Sequence, residues 1–190
     1  MRLQLAGVMF FCVLIDLLIS GCSPQRKHED LKSKSIGIDM FLDNILGKNI
    51  KDIKLNHLVT DSYVLSDTIL EDEGVDWKAL SVEDNKKELI ALLETNWEDS
   101  ITISRIRLFS PDINKNGYHV NSSFASIQNV IDEKRLNESP DGELGLISKS
   151  DSRIHFLMDL PENSSLRTGV GSIKDIPGDL KISEIVLLKQ

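Results

Sequence analysis

The stretch Ile103-Ser104-Arg105-Ile106-Arg107-Leu108-Phe109, written ISRIRLF, indicates the fold of this chain better than any other segment. The same apolar spacing recurs in ISEIVLL at residues 182–188. In both segments the apolar residues before and after the serine fall on opposite faces of an extended strand. This shared change of phase predicts a β-bulge at Ser104-Arg105 and at Ser183-Glu184, or else strands that are buried on both faces.

Two further blocks recur in the same order along the chain, which predicts an internal duplication with halves 36–112 and 115–190. Chance similarity between short amphipathic segments is the alternative explanation. The matched blocks are Ile38-Asp39 with Val120-Asn121, Leu42 with Phe124, Ile45 with Ile127, and Trp77-Lys78-Ala79-Leu80-Ser81 with Leu144-Gly145-Leu146-Ile147-Ser148.

The first block of each half is predicted to be a short helix that follows a turn. In the second half, Asn121-Ser122-Ser123 supplies side-chain oxygens that can cap a helix start. In the first half, Asp39 is the expected cap and Gly47 marks the expected end. The expected apolar stripes are Phe41, Leu42 and Ile45 in the first half, and Phe124, Ile127 and Ile131 in the second.

Residues 81–97, SVEDNKKELIALLETNW, fit two structures. Their intrinsic propensity and the spacing of their leucines favour a helix. The second half carries the runs ELGLIS and IHFLMDL around the polar turn 149–153, which is typical of a β-hairpin. We follow the repeat and predict a hairpin. The resulting fold class is α+β: one domain, residues 36–190, of two related halves, each with a short helix and antiparallel strands. One half alone, at ~75 residues, would bury only a thin core.

Residues 1–21 have the layout of a secretory signal peptide: Met1-Arg2, an apolar run from Leu3 to Ile19, and small residues at Ser20-Gly21. Asp16 within the apolar run disfavours a permanent transmembrane helix. An uncleaved signal anchor with an incidental cysteine is the alternative.

The segment Ile19-Ser20-Gly21-Cys22 resembles the lipobox of bacterial lipoproteins. The resemblance implies that Cys22 carries a diacylglycerol and becomes the first residue of the mature chain. It also implies membrane attachment through two or three acyl chains, enough for stable anchoring. Cys12 lies in the segment expected to be removed. Ser23 after the cysteine is similar to lipoproteins sorted to the outer membrane, and we expect the periplasmic face.

Residues 22–35 combine the lipidation site with a polar segment that has no apolar periodicity, and we interpret them as a flexible tether. This tether has a net charge of +2, and residues 1–21 are neutral because Arg2 and Asp16 cancel. Since the whole chain carries −8, the domain 36–190 carries −10. An acidic domain lacks the basic footprint that nucleic acids require, and we expect no nucleic-acid partner.

The run Gly117-Tyr118-His119-Val120-Asn121-Ser122-Ser123-Phe124-Ala125-Ser126-Ile127 is similar to segments of small uncharacterised lipoproteins of Bacteroidota type. This resemblance implies no known activity.

Two acidic segments carry oxygen atoms that a cation could use as ligands. Residues 112–117, DINKNG, fit the start of a calcium loop, but position twelve is Ser123 instead of glutamate. We favour a linker turn there. The run Glu71-Asp72-Glu73, with Gly74 and Asp76, has no defined ligand spacing and is expected to be a solvated loop.

We predict no metal site, no cofactor and no catalytic residue. The histidines His28, His57, His119 and His155 are too scattered for a zinc pair. His155 is expected to point away from the core face that its neighbours Ile154 and Phe156 share.

The segment Gly169-Val170-Gly171-Ser172 does not fit the nucleophile elbow of a serine hydrolase. Trp77 and Trp97 are expected in the core, with stacking on a sugar as the alternative.

These features predict a lipid-anchored envelope protein that acts as a non-enzymatic binding module. An inhibitor or immunity-type protein would instead present the acidic residues 71–76 to a basic partner. A hydrolase would require His57, His119 and an acidic side chain to converge in one cleft.

Overall fold

A computed structural model of the chain describes residues 38–55, 62–138, 143–162, 164–168 and 172–190. The segment Ser35–Gln190 forms one compact unit. The described residues form an eight-stranded antiparallel sheet in the order β1-β2-β3-β4-β8-β7-β6-β5. The strands are β1 Tyr63–Asp72, β2 Val75–Asp84, β3 Leu89–Thr95, β4 Ile103–Leu108, β5 Ile131–Glu138, β6 Glu143–Ser148, β7 Ile154–Asp159 and β8 Glu184–Leu188.

The described helices are few and short: α1 Ile38–Ile45, α2 Ile50–Leu55, α3 Phe124–Ile127, and 3₁₀ turns at Gln128–Val130, Ser165–Thr168 and Ile173–Asp175. The expected α+β class therefore overstates the helical part, and the fold is mostly β. Ile131, expected to continue the second apolar stripe, is the first residue of β5. Helix α3 stops earlier because the chain tightens into a 3₁₀ turn before entering that strand.

The helix ends also differ from the prediction. Helix α1 begins at Ile38, so Asp39 lies inside it and is not its cap. Ser123 is the N-cap of α3, but its side chain makes no capping hydrogen bond. The end of α1 is as expected, since Gly47 follows it with a φ of +84°, a conformation that glycine adopts without strain.

Strands β4 and β8 lie side by side at the centre of the sheet. Ile106 opposes Leu187, and Arg107 opposes Val186. Each of the two strands then continues outward into a three-stranded meander, β3-β2-β1 on one side and β7-β6-β5 on the other. The two recurring segments of the sequence are therefore direct neighbours.

Both central strands carry the irregularity expected at their serines. Glu94 opposes Arg105 while Thr95 opposes Ile103, so Ser104 is an extra residue in β4. The N–H of Ser183 donates to the Leu157 carbonyl at 2.9 Å, although Leu157 is already opposed by Glu184. Two residues therefore face one partner at each site, which is a β-bulge. The bulges turn Ile103 and Ile182 inward, where neither is exposed.

The hydrophobic core lies between the helices and one face of the sheet. Side chains that are in register across the strands form rows, and α1, α2 and α3 pack against them. One such row is Leu80, Leu93, Ile106, Leu187 and Ile154. The helices contribute Phe41, Leu42, Ile45, Ile50, Ile53, Phe124 and Ile127 to the same core.

The hairpin predicted within residues 81–97 is confirmed, as is the hairpin of β6 and β7. The turn between β2 and β3 is stabilised by Asp84, whose Oδ1 accepts hydrogen bonds from the N–H groups of Lys86 and Glu88. Pairing with β1 and β4 on either side outweighs the helix propensity of this segment. Within the described residues, no helix combines the length and the apolar character that crossing a bilayer requires.

Replacing Ile106 by alanine is expected to lower the free energy of unfolding by about 2–5 kcal/mol, because a buried side chain leaves a cavity. Ile69→Ala is the matched control, since Ile69 is 72% exposed and Ile106 is not exposed. The control should change stability by less than about 0.5 kcal/mol. Urea unfolding of both variants measures the difference, and equal losses would contradict this core.

Candidate binding cleft

The face of the sheet that points away from the helices carries charged side chains at its centre. Arg105 and Arg107 alternate with the core residues of β4, while Glu94 and Glu184 lie on neighbouring strands. Glu94 is 1% exposed and Glu184 is 5% exposed. Burying a carboxylate is costly unless the group is paired and hydrogen-bonded. The stability of this charged layer therefore depends on the partners of Glu94 and Glu184.

Glu184 is paired with Arg107 in a two-point contact. The Nε and Nη2 of Arg107 each donate to one carboxylate oxygen of Glu184 at 2.7 Å. This hydrogen bonding raises the pKa of Arg107 above its ordinary value, while burial acts in the opposite direction. The guanidinium also lies 5.4 Å from the centre of the Phe109 ring. Arg107 is therefore held in one orientation.

Glu94 is paired less completely. Its Oε2 accepts hydrogen bonds from Arg105 Nε at 2.8 Å, from Arg105 Nη2, and from Trp77 Nε1 at 3.3 Å. Its Oε1 is buried and accepts no hydrogen bond from the described residues; Arg107 Nε lies 3.8 Å away. A buried acceptor without a donor costs about 1–3 kcal/mol.

These side chains line an open cleft between the sheet and the end of the β1–β2 hairpin. One part, about 700 Å³, is the Trp cleft, lined by Val75, Trp77, Glu94, Trp97, Arg105 and Lys189, with Asp72 and Glu73 at its acidic side. A second hollow of about 450 Å³, over Arg107, Glu184 and His155, shares Asp72, Trp77, Arg105 and Leu188 with it. Its size is within the range of small-ligand sites, roughly 300–1,000 Å³.

Trp97 lies on the loop between β3 and β4 and is 65% exposed. The expectation that it packs in the core is wrong, and Trp77 is half-buried at the cleft wall. The loop is braced by Asp99, whose Oδ1 accepts hydrogen bonds from the N–H groups of Thr102 and Ile101. These backbone bonds lower the pKa of Asp99. The exposure of Trp97 thus occurs on a well-defined turn.

The acidic run is the end of a hairpin and not an irregular loop. Glu71 and Asp72 close β1, and Glu73-Gly74 form its two-residue turn, both with positive φ. All four carboxylates, of Glu71, Asp72, Glu73 and Asp76, are exposed and unpaired with any cation of the described residues. The prediction that this acidic run is exposed to solvent is confirmed.

His155 points to the cleft side of β7, as its position between Ile154 and Phe156 predicted. Burial lowers its pKa below the ordinary value, while a hydrogen bond from Nε2 to the Ser152 carbonyl acts in the opposite direction. His119 is exposed on the segment that precedes α3. His28, His57, Cys12, Cys22 and residues 169–171 lie outside the described residues, so the structure bears on none of the predictions for them.

The segment that resembled a calcium loop is a tight turn. Lys115 and Tyr118 form a bridge around Asn116 and Gly117, which have φ of +54° and +90°. The Oδ1 of Asn114 is occupied by the N–H of Gly117 at 2.8 Å. A tight turn is thus present at this position, as the linker-turn interpretation expects. In the part of the chain that the structure describes, no three His, Cys, Asp or Glu side chains are grouped so as to hold a metal ion.

No functional role was predicted from the sequence for Glu94, Arg105, Arg107 or Glu184. A signal for them does exist, because each is a charge isolated in an apolar strand. Such a charge must lie on the second face of the sheet and meet an opposite charge there. Which charges meet depends on strand order, which the sequence does not state.

Removing the carboxylate of Glu184 tests this charged layer. Glu184→Ala leaves Arg107 without its acceptor, and we expect a loss of about 1–3 kcal/mol of unfolding free energy. Asp151→Ala is the matched control, because Asp151 forms the same two-point contact with Arg153, and both of these side chains are more exposed than that of Glu184. That loss should stay below about 1 kcal/mol. Equal losses in urea unfolding would show that burial of the pair has no consequence.

The lowered pKa of His155 predicts a pH dependence of stability. Above the unfolded pKa of about 6.5 the histidine is neutral in both states and contributes nothing. Below it, the unfolded chain binds the proton more readily, so stability falls. His155→Gln should therefore lose less stability than the wild type between about pH 7.5 and 5.5. Thermal unfolding across this range measures the difference, and parallel curves would contradict the prediction.

No family model and no curated protein matches this sequence. Among solved structures, the chain is similar to the crystal structure of the uncharacterized protein yfeY from Escherichia coli. The similarity has a TM-score of 0.57 at 12% sequence identity and covers 76% of this chain and 92% of that chain. At this identity, the similarity shows a shared fold.

Proposed function

We propose that this protein is a lipid-anchored binding module of the bacterial cell envelope and that the Trp cleft is its ligand-binding surface. The anchor rests on the lipobox-like segment ending at Cys22. The binding role rests on one observation: Glu94 lines a cleft together with both tryptophans of the chain, and one of its carboxylate oxygens is buried without a donor among the described residues. Such an unsatisfied group is stabilised when a ligand supplies the missing hydrogen bond.

The pairing of the arginines with buried carboxylates favours a role in binding over a role in proton transfer. Arg105 and Arg107 are each held by a buried carboxylate, which fixes their position. Fixed donors of this kind suit recognition of a polar ligand, because little conformational entropy is lost when the ligand arrives. We therefore assign an orienting role to these arginines.

We also propose that residues 36–112 and 115–190 are related halves. Support comes from the strand order, which reads symmetrically outward from β4 and β8, and from the bulge at the serine of each central strand. The Trp cleft combines Trp77 and Arg105 of the first half with Leu188 and Lys189 of the second. Ligand sites are frequent where two such units meet.

The exposed acidic hairpin end supports a second candidate function, that of an inhibitor or immunity-type protein. Its four carboxylates, Glu71, Asp72, Glu73 and Asp76, are available to a basic protein surface. Association of that kind would weaken strongly with added salt, since screening suppresses long-range attraction.

The anchor is tested by comparing Cys22→Ser with Cys12→Ser in a bacterial host. We expect the wild type and Cys12→Ser in the membrane fraction, with a mature mass that corresponds to residues 22–190 plus acyl chains. Cys22→Ser should lose both the acyl mass and the membrane attachment, because the acceptor sulfur is gone. An unacylated Cys22 in the wild type, or identical behaviour of both variants, would overturn the anchor.

A further inference from the structure

We infer that the Trp cleft binds a neutral saccharide, with a sugar hydroxyl donating to Glu94 and a pyranose ring resting on Trp97. This inference builds on the binding role proposed above and names the chemical class of the ligand. It follows from the aromatic lining, the hydrogen-bonding groups and the charge of the cleft.

The aromatic lining is unusual for this chain. The protein has two tryptophans among 190 residues, and both line the Trp cleft. Trp97 is 65% exposed beside Val75, which is 45% exposed. Exposed aromatic and apolar surface in one cleft is typical of a binding site. The C–H face of a pyranose ring is a suitable partner, because it is flat, weakly apolar and bordered by hydroxyl groups.

The polar groups of the cleft match vicinal hydroxyls. Each sugar hydroxyl can donate one hydrogen bond and accept others. Glu94 Oε1 is an acceptor without a donor among the described residues. Arg105 uses Nε and Nη2 for Glu94, while its side chain remains 42% exposed, so Nη1 is available as a donor. The residues that line the cleft thus include both a donor and an acceptor for sugar hydroxyls.

The charge of the cleft selects against acidic sugars. Asp72, Glu73 and Glu94 outnumber Arg105 and Lys189 among its lining residues. The hydrogen bonds between Arg105 and Glu94 also neutralise much of the field of that guanidinium. A carboxylated or phosphorylated sugar would meet the exposed carboxylates at the hairpin end. Neutral hydroxyl groups carry no such penalty.

The test is a titration of the full-length protein, solubilised in a detergent without a sugar head group. The probes are cellobiose, maltose and N,N′-diacetylchitobiose at millimolar concentration, with digalacturonic acid and tetralysine as the acidic and basic arms. Tryptophan emission reports binding directly because both indoles line the cleft, and calorimetry gives the affinity without relying on emission.

At least one neutral disaccharide is expected to shift the emission and to bind more tightly than digalacturonic acid. Trp97→Ala should weaken that binding about tenfold or more, and so should Glu94→Gln, which removes the carboxylate charge from the cleft. Leu89→Ala is the control, because Leu89 is also an exposed apolar side chain but does not line the cleft. Trp97→Ala alters a side chain on the surface, so its folding should be retained even if Glu94→Gln destabilises the protein.

The inference is overturned if none of the three disaccharides binds, or if one binds equally well to Trp97→Ala. Binding of tetralysine alone, lost in Trp97→Ala, would overturn it in favour of a basic peptide ligand. These failures leave the membrane anchor intact, because acylation of Cys22 is measured separately. Conversely, saccharide binding by a chain with an unacylated Cys22 would remove the anchor and keep the ligand.

Discussion

Strands β4 and β8 pair antiparallel at the centre of the sheet, and the rest of the structure depends on this contact. It joins the meander β1–β4 to the meander β5–β8 into one continuous sheet. One face of the pair, with Ile106, Leu108, Ile185 and Leu187, supplies the middle of the hydrophobic core. The other face brings Arg107 within reach of Glu184. A single backbone pairing thus creates both the main core and the charged layer opposite to it.

The charged layer imposes a physical requirement on the second face of the sheet. Carboxylates as buried as those of Glu94 and Glu184 must be paired, because desolvation of a lone charge is very costly. The arginines of β4 meet that requirement fully for Glu184 and incompletely for Glu94, whose Oε1 has no donor among the described residues. Glu94 is one of the residues that line the Trp cleft, together with Trp77 and Trp97. An unsatisfied buried group of this kind requires a physical explanation, and we propose that a ligand supplies the missing hydrogen bond.

Much of the strand arrangement could be predicted from sequence periodicity. The change of phase at Ser104 and Ser183 predicted the bulges, because a bulge is a local property of the chain. At residues 81–97 the local propensity favours a helix, and only the likeness to the segments ELGLIS and IHFLMDL indicates the hairpin that the structure shows. The extent of helix was overestimated, because a short apolar stripe such as Phe124 to Ile131 fits both a helix and the start of a strand. For the cleft, the sequence indicated the orientation of His155 but neither the charge pairs nor the exposure of Trp97.

The sequence by itself determined the alternation of apolar and polar residues, the positions of bulges and tight turns, and the acidic character of the chain. These properties depend on neighbours within a few residues, so they can be predicted locally. Only the tertiary structure decided that Arg107 pairs with Glu184, which is 77 positions away along the chain, and that Glu94 lies beside both tryptophans. Such contacts depend on which strands become neighbours. The strand order is selected by the burial of all the core residues together. No single segment of the sequence specifies it.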